Sequence, residues 1–201
     1  MQKWRGSGRQ KRSLLAADTD IVIEGFPRSA NSWSVRVFAH WQRPRRLRIA
    51  HHQHSEAQVL AGVARGMPVI LLLRDPADAV RSLNELDGTN LDWGLRRWIA
   101  FYRAAEQVID KVVVATFAQA TGDFGSVVKR VNERFGTEFA FGPTDDALFA
   151  RITARMYDTG FPHAAREPRG AGGLPAMDPA LLAAAQALYR RLAARAGAGP
   201  T

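Results

Sequence analysis

Cysteine is absent from the 201 residues. That excludes disulfides, thiolate nucleophiles, iron–sulfur clusters and cysteine-ligated zinc. No run approaches the roughly eighteen consecutive apolar residues of a membrane-spanning helix, and no apolar core follows the basic N-terminus, so neither a transmembrane segment nor a signal peptide is expected. A cytoplasmic protein is the expectation. Lysine is scarce: Lys3, Lys11, Lys111 and Lys129 are the four, against twenty-four arginines, and 19 acidic residues leave a formal charge of +9. The planar guanidinium fork suits phosphate and sulfate, and the positive excess favours an anionic partner such as a nucleotide, a nucleic acid or an acidic polymer. A codon bias toward arginine and alanine accounts for the same surplus. With 46% hydrophobic and 23% charged residues, the chain is ordinary globular material and not a disordered one.

Residues 1–18 read as a basic, flexible N-terminal tail carrying Lys3, Arg5, Arg9, Lys11 and Arg12, free to touch an anionic surface peripherally. Residues 19–196 read as a single domain, and 197–201 as a frayed end. Asp20 to Gly25 is a buried strand, followed by a loop to Ser32 and a helix from Trp33 to Trp41. Arg46 to Ala50 is a second short strand. Ser55 caps a helix that runs to Arg65 and stops at Gly66. Pro68 to Leu73 is apolar on both faces, the mark of a parallel sheet covered on both sides. Asp75-Pro76 opens the next helix, with proline in its tolerated first turn. Leu95, Trp98, Ile99 and Tyr102 lie at helical spacing. Val112 to Thr116 is another strand, Phe124 to Phe135 and Asp145 to Tyr157 are helices, 161–177 is a loop, and Pro179 to Arg195 is a terminal helix. Strands alternating with helices predict a three-layer α/β/α fold around a central parallel sheet. Ligands bind beyond the carboxyl ends of such strands.

Two loops at those ends carry chemistry. Gly25-Phe-Pro-Arg-Ser-Ala-Asn-Ser32 follows a strand and opens a helix, as a phosphate-binding P-loop does. Gly25 and Ser32 match that pattern; Ala30 replaces its second glycine and Asn31 its lysine. Backbone N–H groups of such a loop, with a helix N-terminus, make an anion site, and Arg28 is the cation at hand. The second loop is Leu73-Arg74-Asp75-Pro76, with Ser82 two turns into the following helix. Arg74 and Ser82 are placed to grip a second phosphate, unless Arg74 pairs instead with a carboxylate such as Asp78.

Together the two loops resemble the sulfotransferases that use 3′-phosphoadenosine 5′-phosphosulfate. That family reads Pro-Lys/Arg-Ser-Gly-Thr-Thr-Trp after its first strand, against Pro27-Arg28-Ser29-Ala30-Asn31-Ser32-Trp33 here. Its second motif is Arg-Asn/Asp-Pro with a serine eight residues after the arginine, here Arg74-Asp75-Pro76 and Ser82. The segment from Val114 through Phe117 to Asp123-Phe124 is similar to the family's strand with Tyr-Glu-x-Leu and the turn after it. The likeness runs from about Asp20 to Phe139. It implies a P-loop, nucleotide-kinase-like sheet. It also implies a donor whose 5′ end lies on the backbone of Ser29, Ala30, Asn31 and Ser32, with Trp33 near the adenine and Phe117 where a tyrosine often meets the base. Arg74 and Ser82 would hold the 3′-phosphate, and Arg28 would stabilise charge on the bridging oxygen. Arg169-Gly170 is the nearest counterpart of the family's C-terminal Arg-Lys-Gly, with Pro168 in place of its arginine.

Sulfuryl transfer to a hydroxyl needs the acceptor's proton removed, and histidine titrates in the right range. His51, His52 and His54 stand together after the second strand. The family's catalytic histidine follows the corresponding strand, and counting back from Arg74 at the usual spacing selects His52, with His54 as the substitute. No metal is expected, since beyond Glu56 no carboxylate stands at ligand spacing from the cluster. The expected reaction is in-line sulfuryl transfer to a hydroxyl or amine of a small-molecule or glycan acceptor, which the arginine surplus suggests is acidic. Three alternatives stay open: a nucleotide or small-molecule kinase on the same fold, a nucleic-acid-binding protein, and a non-catalytic nucleotide-binding relative. The kinase lacks its lysine, and no nucleic-acid-reading motif is present, so no specific nucleic-acid partner is expected.

Overall fold

The computed structural model describes residues 13–157 and 176–197. The strands β1 (Ile21–Gly25), β2 (Ile49–His51), β3 (Val69–Leu73) and β4 (Val113–Thr116) form one sheet in the order β2-β1-β3-β4, with every neighbouring pair parallel. Helix α1 (Asn31–Trp41) joins β1 to β2, and α2 (Glu56–Ala64) joins β2 to β3. Helices α3 (Pro76–Asp87) and α4 (Leu91–Glu106) precede β4. After it come α5 (Phe117–Gly122), α6 (Phe124–Phe135), α7 (Asp146–Tyr157) and α8 (Pro179–Ala193).

The strands alternate between two cores. Val22, Leu71, Leu73 and Val114 face α2, α3, α4 and α8; Ile21, Ile23, Ile70, Leu72, Val113 and Ala115 face α1, α6 and α7. Every residue of β1 and β3 is buried, because parallel strands covered on both faces have no solvent side. The expected three-layer α/β/α architecture with a parallel sheet is the one observed. The periodic residues Leu95, Trp98, Ile99 and Tyr102 of α4 are all buried against the first core.

Several boundaries differ from expectation for local reasons. Pairing of β2 starts at Ile49, opposite Ile21, and not at Arg46. The Arg48 N–H goes instead to the Asp20 carboxylate at 2.7 Å, outside the ladder. Helix α1 starts at Asn31, two residues early, with left-handed Ala30 as its cap. Helix α5 is additional. Its start is a reciprocal box in which Thr116 Oγ1 accepts from Gln119 N and Gln119 Oε1 accepts from Thr116 N, a pattern written in the sequence as Thr-x-x-Gln. The last helix ends at Ala193 and tightens into a 3₁₀ turn over Ala194–Ala196. Of the tail expected over 1–18, the part from Ser13 onward lies against the sheet: Ser13 O accepts the His51 N–H at 2.9 Å and Leu15 N donates to Gln58 at 3.0 Å. Residues 1–12, and Arg169 with Gly170, lie outside the described residues.

Candidate active site

All four strands end at one edge, and each sends a loop to a single cleft of about 340 Å³. Arg28 and the turn from Ala30 to Trp33 come from the end of β1, His52 and His54 from β2, Arg74 from β3, and Phe117 and Thr121 from β4; Leu86 and Phe149 close the sides. The chain leaves β1 toward β2 but leaves β3 toward β4. The crevice therefore opens at the point where the connections diverge, the usual ligand position in an open α/β sheet.

Gly25 lets β1 end hard against β3. A Cβ there would lie 2.6 Å from Leu72 O. The buried Tyr102 hydroxyl fastens the same corner, donating to Leu72 O at 2.6 Å and accepting from Phe26 N at 3.4 Å. Beyond it the chain turns through two left-handed residues, Arg28 at φ 67° and Ala30 at φ 68°. Asn31 Nδ2 donates back to Phe26 O at 3.0 Å, so the residue at the P-loop lysine position braces the loop from within. No side chain caps α1. Its first-turn N–H groups are the unsatisfied donors of a helix start, and with the left-handed turn they make a concavity of the kind that can accept an anion. Ser29 is fully buried, its N–H donates to Phe26 O at 3.3 Å, and it is not among the residues lining the cleft, so it braces the turn from within and does not offer the expected backbone contact.

The two motif loops meet. Arg28 Nε donates to Ser82 Oγ at 2.9 Å, and Arg74 Nη1 donates to Arg28 O at 2.9 Å. Ser82 thus pairs with Arg28, the cation of the first loop. The Arg74 guanidinium lies over the Phe117 ring, 4.3 Å from its centre, a cation–π contact. Arg74 forms no ion pair with Asp78 among the described residues, and its buried Nε makes no hydrogen bond. Trp33 is 8% exposed, with its indole N–H on Ala120 O at 3.0 Å and its ring against Phe149 at 5.0 Å. Only its edge reaches the cleft.

The histidines are arranged unequally. Both ring nitrogens of His52 are taken: Nε2 is 2.8 Å from Ser32 Oγ, and Nδ1 is 2.5 Å from Nδ1 of His51. Burial, with help from the neighbouring His51 and His54, pushes its pKa down to about 3; burial and His54 bring His51 down to about 4. His54 Nδ1 lies 2.9 Å from Gly25 O. A carbonyl can only accept, so Nδ1 carries the proton and the other ring nitrogen, Nε2, keeps its lone pair. Burial lowers the His54 pKa too, against the raising effect of that hydrogen bond. The neutral Nδ1–H form therefore stands in the cleft wall, with no hydrogen-bond partner on Nε2 among the described residues.

Beneath this loop sits a residue the motifs do not reach. Glu24 is fully buried. Its carboxylate accepts from Gln53 N at 2.8 Å, His54 N at 2.9 Å and Gln58 Nε2 at 3.2 Å. Burial outweighs these hydrogen bonds and pushes its pKa up to about 7. The sequence signal is a lone carboxylate inside the apolar run Ile21-Val-Ile-Glu-Gly25. Phe149 and Leu86 carry no such signal, since only tertiary packing brings α7 and α3 to the cleft.

No family model matches this chain, and no curated protein matches it in sequence. Among solved structures it is similar to mouse sulfotransferase SULT7A1 complexed with PAP. That match covers 93% of this chain and 92% of the other, at 15% sequence identity and a TM-score of 0.49.

Proposed function

We propose that the chain is a sulfotransferase that binds 3′-phosphoadenosine 5′-phosphosulfate in this cleft and moves its sulfuryl group to a hydroxyl acceptor. The observation that carries the reading is the convergence of Arg28, Ser82 and Arg74 beside the uncapped start of α1. Two guanidiniums and a helix N-terminus make a site for two separate anionic groups, as a 3′,5′-bisphosphate presents. The residues fit such a donor. Arg74 Nε is buried with no partner, and the left-handed turn leaves the first-turn N–H groups of α1 for the 5′ end. The donor supplies an activated sulfuryl group on a 5′-phosphate; everything else falls to the chain.

Arg74 binds the 3′-phosphate, and Arg28, released from Ser82 or shared with it, meets charge on the 5′ side. His54 takes the acceptor proton at Nε2 while Gly25 O keeps hold of Nδ1–H. Of the two candidate histidines it has the free nitrogen, and its partner is an acceptor that steadies the imidazolium formed. His52 holds Ser32 in place at the mouth of α1. A kinase reading has less support, because Asn31 is turned into the loop and no lysine lines the cleft among the described residues.

The test is a thermal-shift comparison. A ligand that binds only the native state stabilises it by mass action, so 3′-phosphoadenosine 5′-phosphate should raise Tm more than AMP does. Equal shifts, or a larger one with ATP and magnesium, would overturn the reading in favour of a kinase.

A further inference from the structure

Glu24 has no part in the chemistry described so far, yet it is a fully buried carboxylate with no cation among its hydrogen-bond partners. A carboxylate placed in a core without a counter-ion costs stability unless donors satisfy it. Here the donors are neutral, and two of the three are the consecutive backbone N–H groups of Gln53 and His54. The backbone on either side of that clamp is unusual: His52 has φ 56° and His54 has φ 50°. Non-glycine residues take that conformation in only a few per cent of cases, histidine more readily than most, because Cβ crowds the following carbonyl; two such residues flanking one position are uncommon. Something must hold it, and the hydrogen bonds identify what does.

We propose that Glu24 is the positioning residue of the histidine loop: its two carboxylate oxygens grip the N–H groups of Gln53 and His54, hold His52 and His54 left-handed, and thereby aim the His54 imidazole at Gly25 O. Gly25 is the next residue along β1, so one strand end sets both the loop's backbone and the ring's tautomer. Gln58 extends the clamp. It donates to Glu24 from Nε2 and accepts from Leu15 N at Oε1, which ties α2 and the segment after Ser13 to the same carboxylate. Glu24 touches no substrate position and acts through His54. The inference rests on the proposed transferase reading only in giving His54 a proton to take; the clamp itself is independent of it.

The experiment follows the His54 ring in ¹⁵N-labelled protein by long-range ¹H–¹⁵N correlation, which distinguishes the Nδ1–H from the Nε2–H tautomer. Wild type should show a pure Nδ1–H form at His54. Glu24→Gln keeps the shape but sets an amide NH₂ against one of the two backbone N–H groups. In that variant the His54 signals should move to a mixture of tautomers, while 3′-phosphoadenosine 5′-phosphate still raises Tm as in wild type, because Arg28 and Arg74 are untouched. With an acceptor in hand, kcat should fall at least about tenfold with donor affinity within about twofold. A folded Glu24→Gln protein that keeps a pure Nδ1–H tautomer would overturn the proposal. Should that variant not fold, amide hydrogen exchange in wild type decides: protection at Gln53 and His54 matching the interior of β1 supports the clamp, and exchange as fast as an open loop overturns it. If the bisphosphate fails to bind wild type while the tautomer still responds to Glu24, the transferase reading fails and the clamp stands.

Discussion

Ala30 carries a backbone cost that its own side chain creates. At φ 68° its Cβ crowds the next carbonyl, a penalty of roughly 1–2 kcal/mol for an L residue. Glycine removes that crowding but frees the unfolded chain, which returns roughly 0.5–1 kcal/mol of the gain. Ala30→Gly should therefore stabilise the protein by up to about 1.5 kcal/mol, read as a higher denaturation midpoint at unchanged slope; a loss of stability would mean that the turn relaxes elsewhere. Arg74→Ala should weaken binding of 3′-phosphoadenosine 5′-phosphate by roughly 1.5–3 kcal/mol, the worth of a hydrogen bond to a charged group. Arg191→Ala, whose side chain pairs with Glu106 away from the cleft, should leave that binding unchanged in the same titration. Of the residues whose chemistry shows in the sequence, Arg28, Ser32, His52, His54 and Arg74 line the cleft, because motif spacing and strand ends fix them locally, whereas Ser29 and Ser82 are not among its lining residues. Two features were not legible. The Arg28–Ser82 pairing spans 54 residues and depends on how α3 packs. The inequality of His52 and His54 depends on which atoms lie within reach of each ring, which spacing does not encode.

At the level of elements, a helix start is legible where a side chain caps it. Asp75 caps α3 as its sequence says, accepting from Ala77 N at 2.9 Å and Asp78 N at 3.2 Å at one oxygen, with Pro76 in the first turn. Asp75→Ala should cost about 1 kcal/mol, within the usual range for losing such a cap. Because Arg74 is the adjacent residue, the same variant should also lower nucleotide affinity modestly; an unchanged melting temperature would show that the start of α3 is held by packing alone. Ser55 and Asn90 cap α2 and α4 in the same way. Strand β2 starts later than its sequence indicates because Arg46-Leu-Arg48 continues the apolar-polar alternation of a strand, while pairing begins only at Ile49, opposite Ile21. The six residues of α5 are too few to show a helical period, although the Thr116–Gln119 box marks the start.

Over the whole molecule, the buried ionisable groups around the histidine loop give folding stability a specific pH dependence. His51 and His52 titrate at about 4 and about 3 in the folded protein, and His54 is also lowered, against 6.5 for an unburied histidine. Between those values the unfolded chain binds protons that the native state refuses, so acidification favours unfolding and stability rises with pH. Glu24 works in the opposite sense. Its native pKa of about 7 stands above the ordinary 4.5, so the native state holds a proton that the unfolded chain has released, and that contribution is lost as pH climbs through 7. Three histidines outweigh one carboxyl. Chemical denaturation followed from pH 4.5 to 8 should show stability increasing through pH 6.5 and levelling to a plateau above about pH 7, where the last histidine protons of the unfolded chain offset the ionisation of Glu24. Glu24→Gln removes the opposing group, so its rise with pH should be steeper than in wild type. Replacing His51 and His52 by glutamine should flatten the rise. A wild-type profile that stays level between pH 4.5 and 6.5 would mean that the loop opens enough in the native state for water to reach all three rings. The closed arrangement that leaves His54 Nε2 with its lone pair would then be only one of several the cleft adopts.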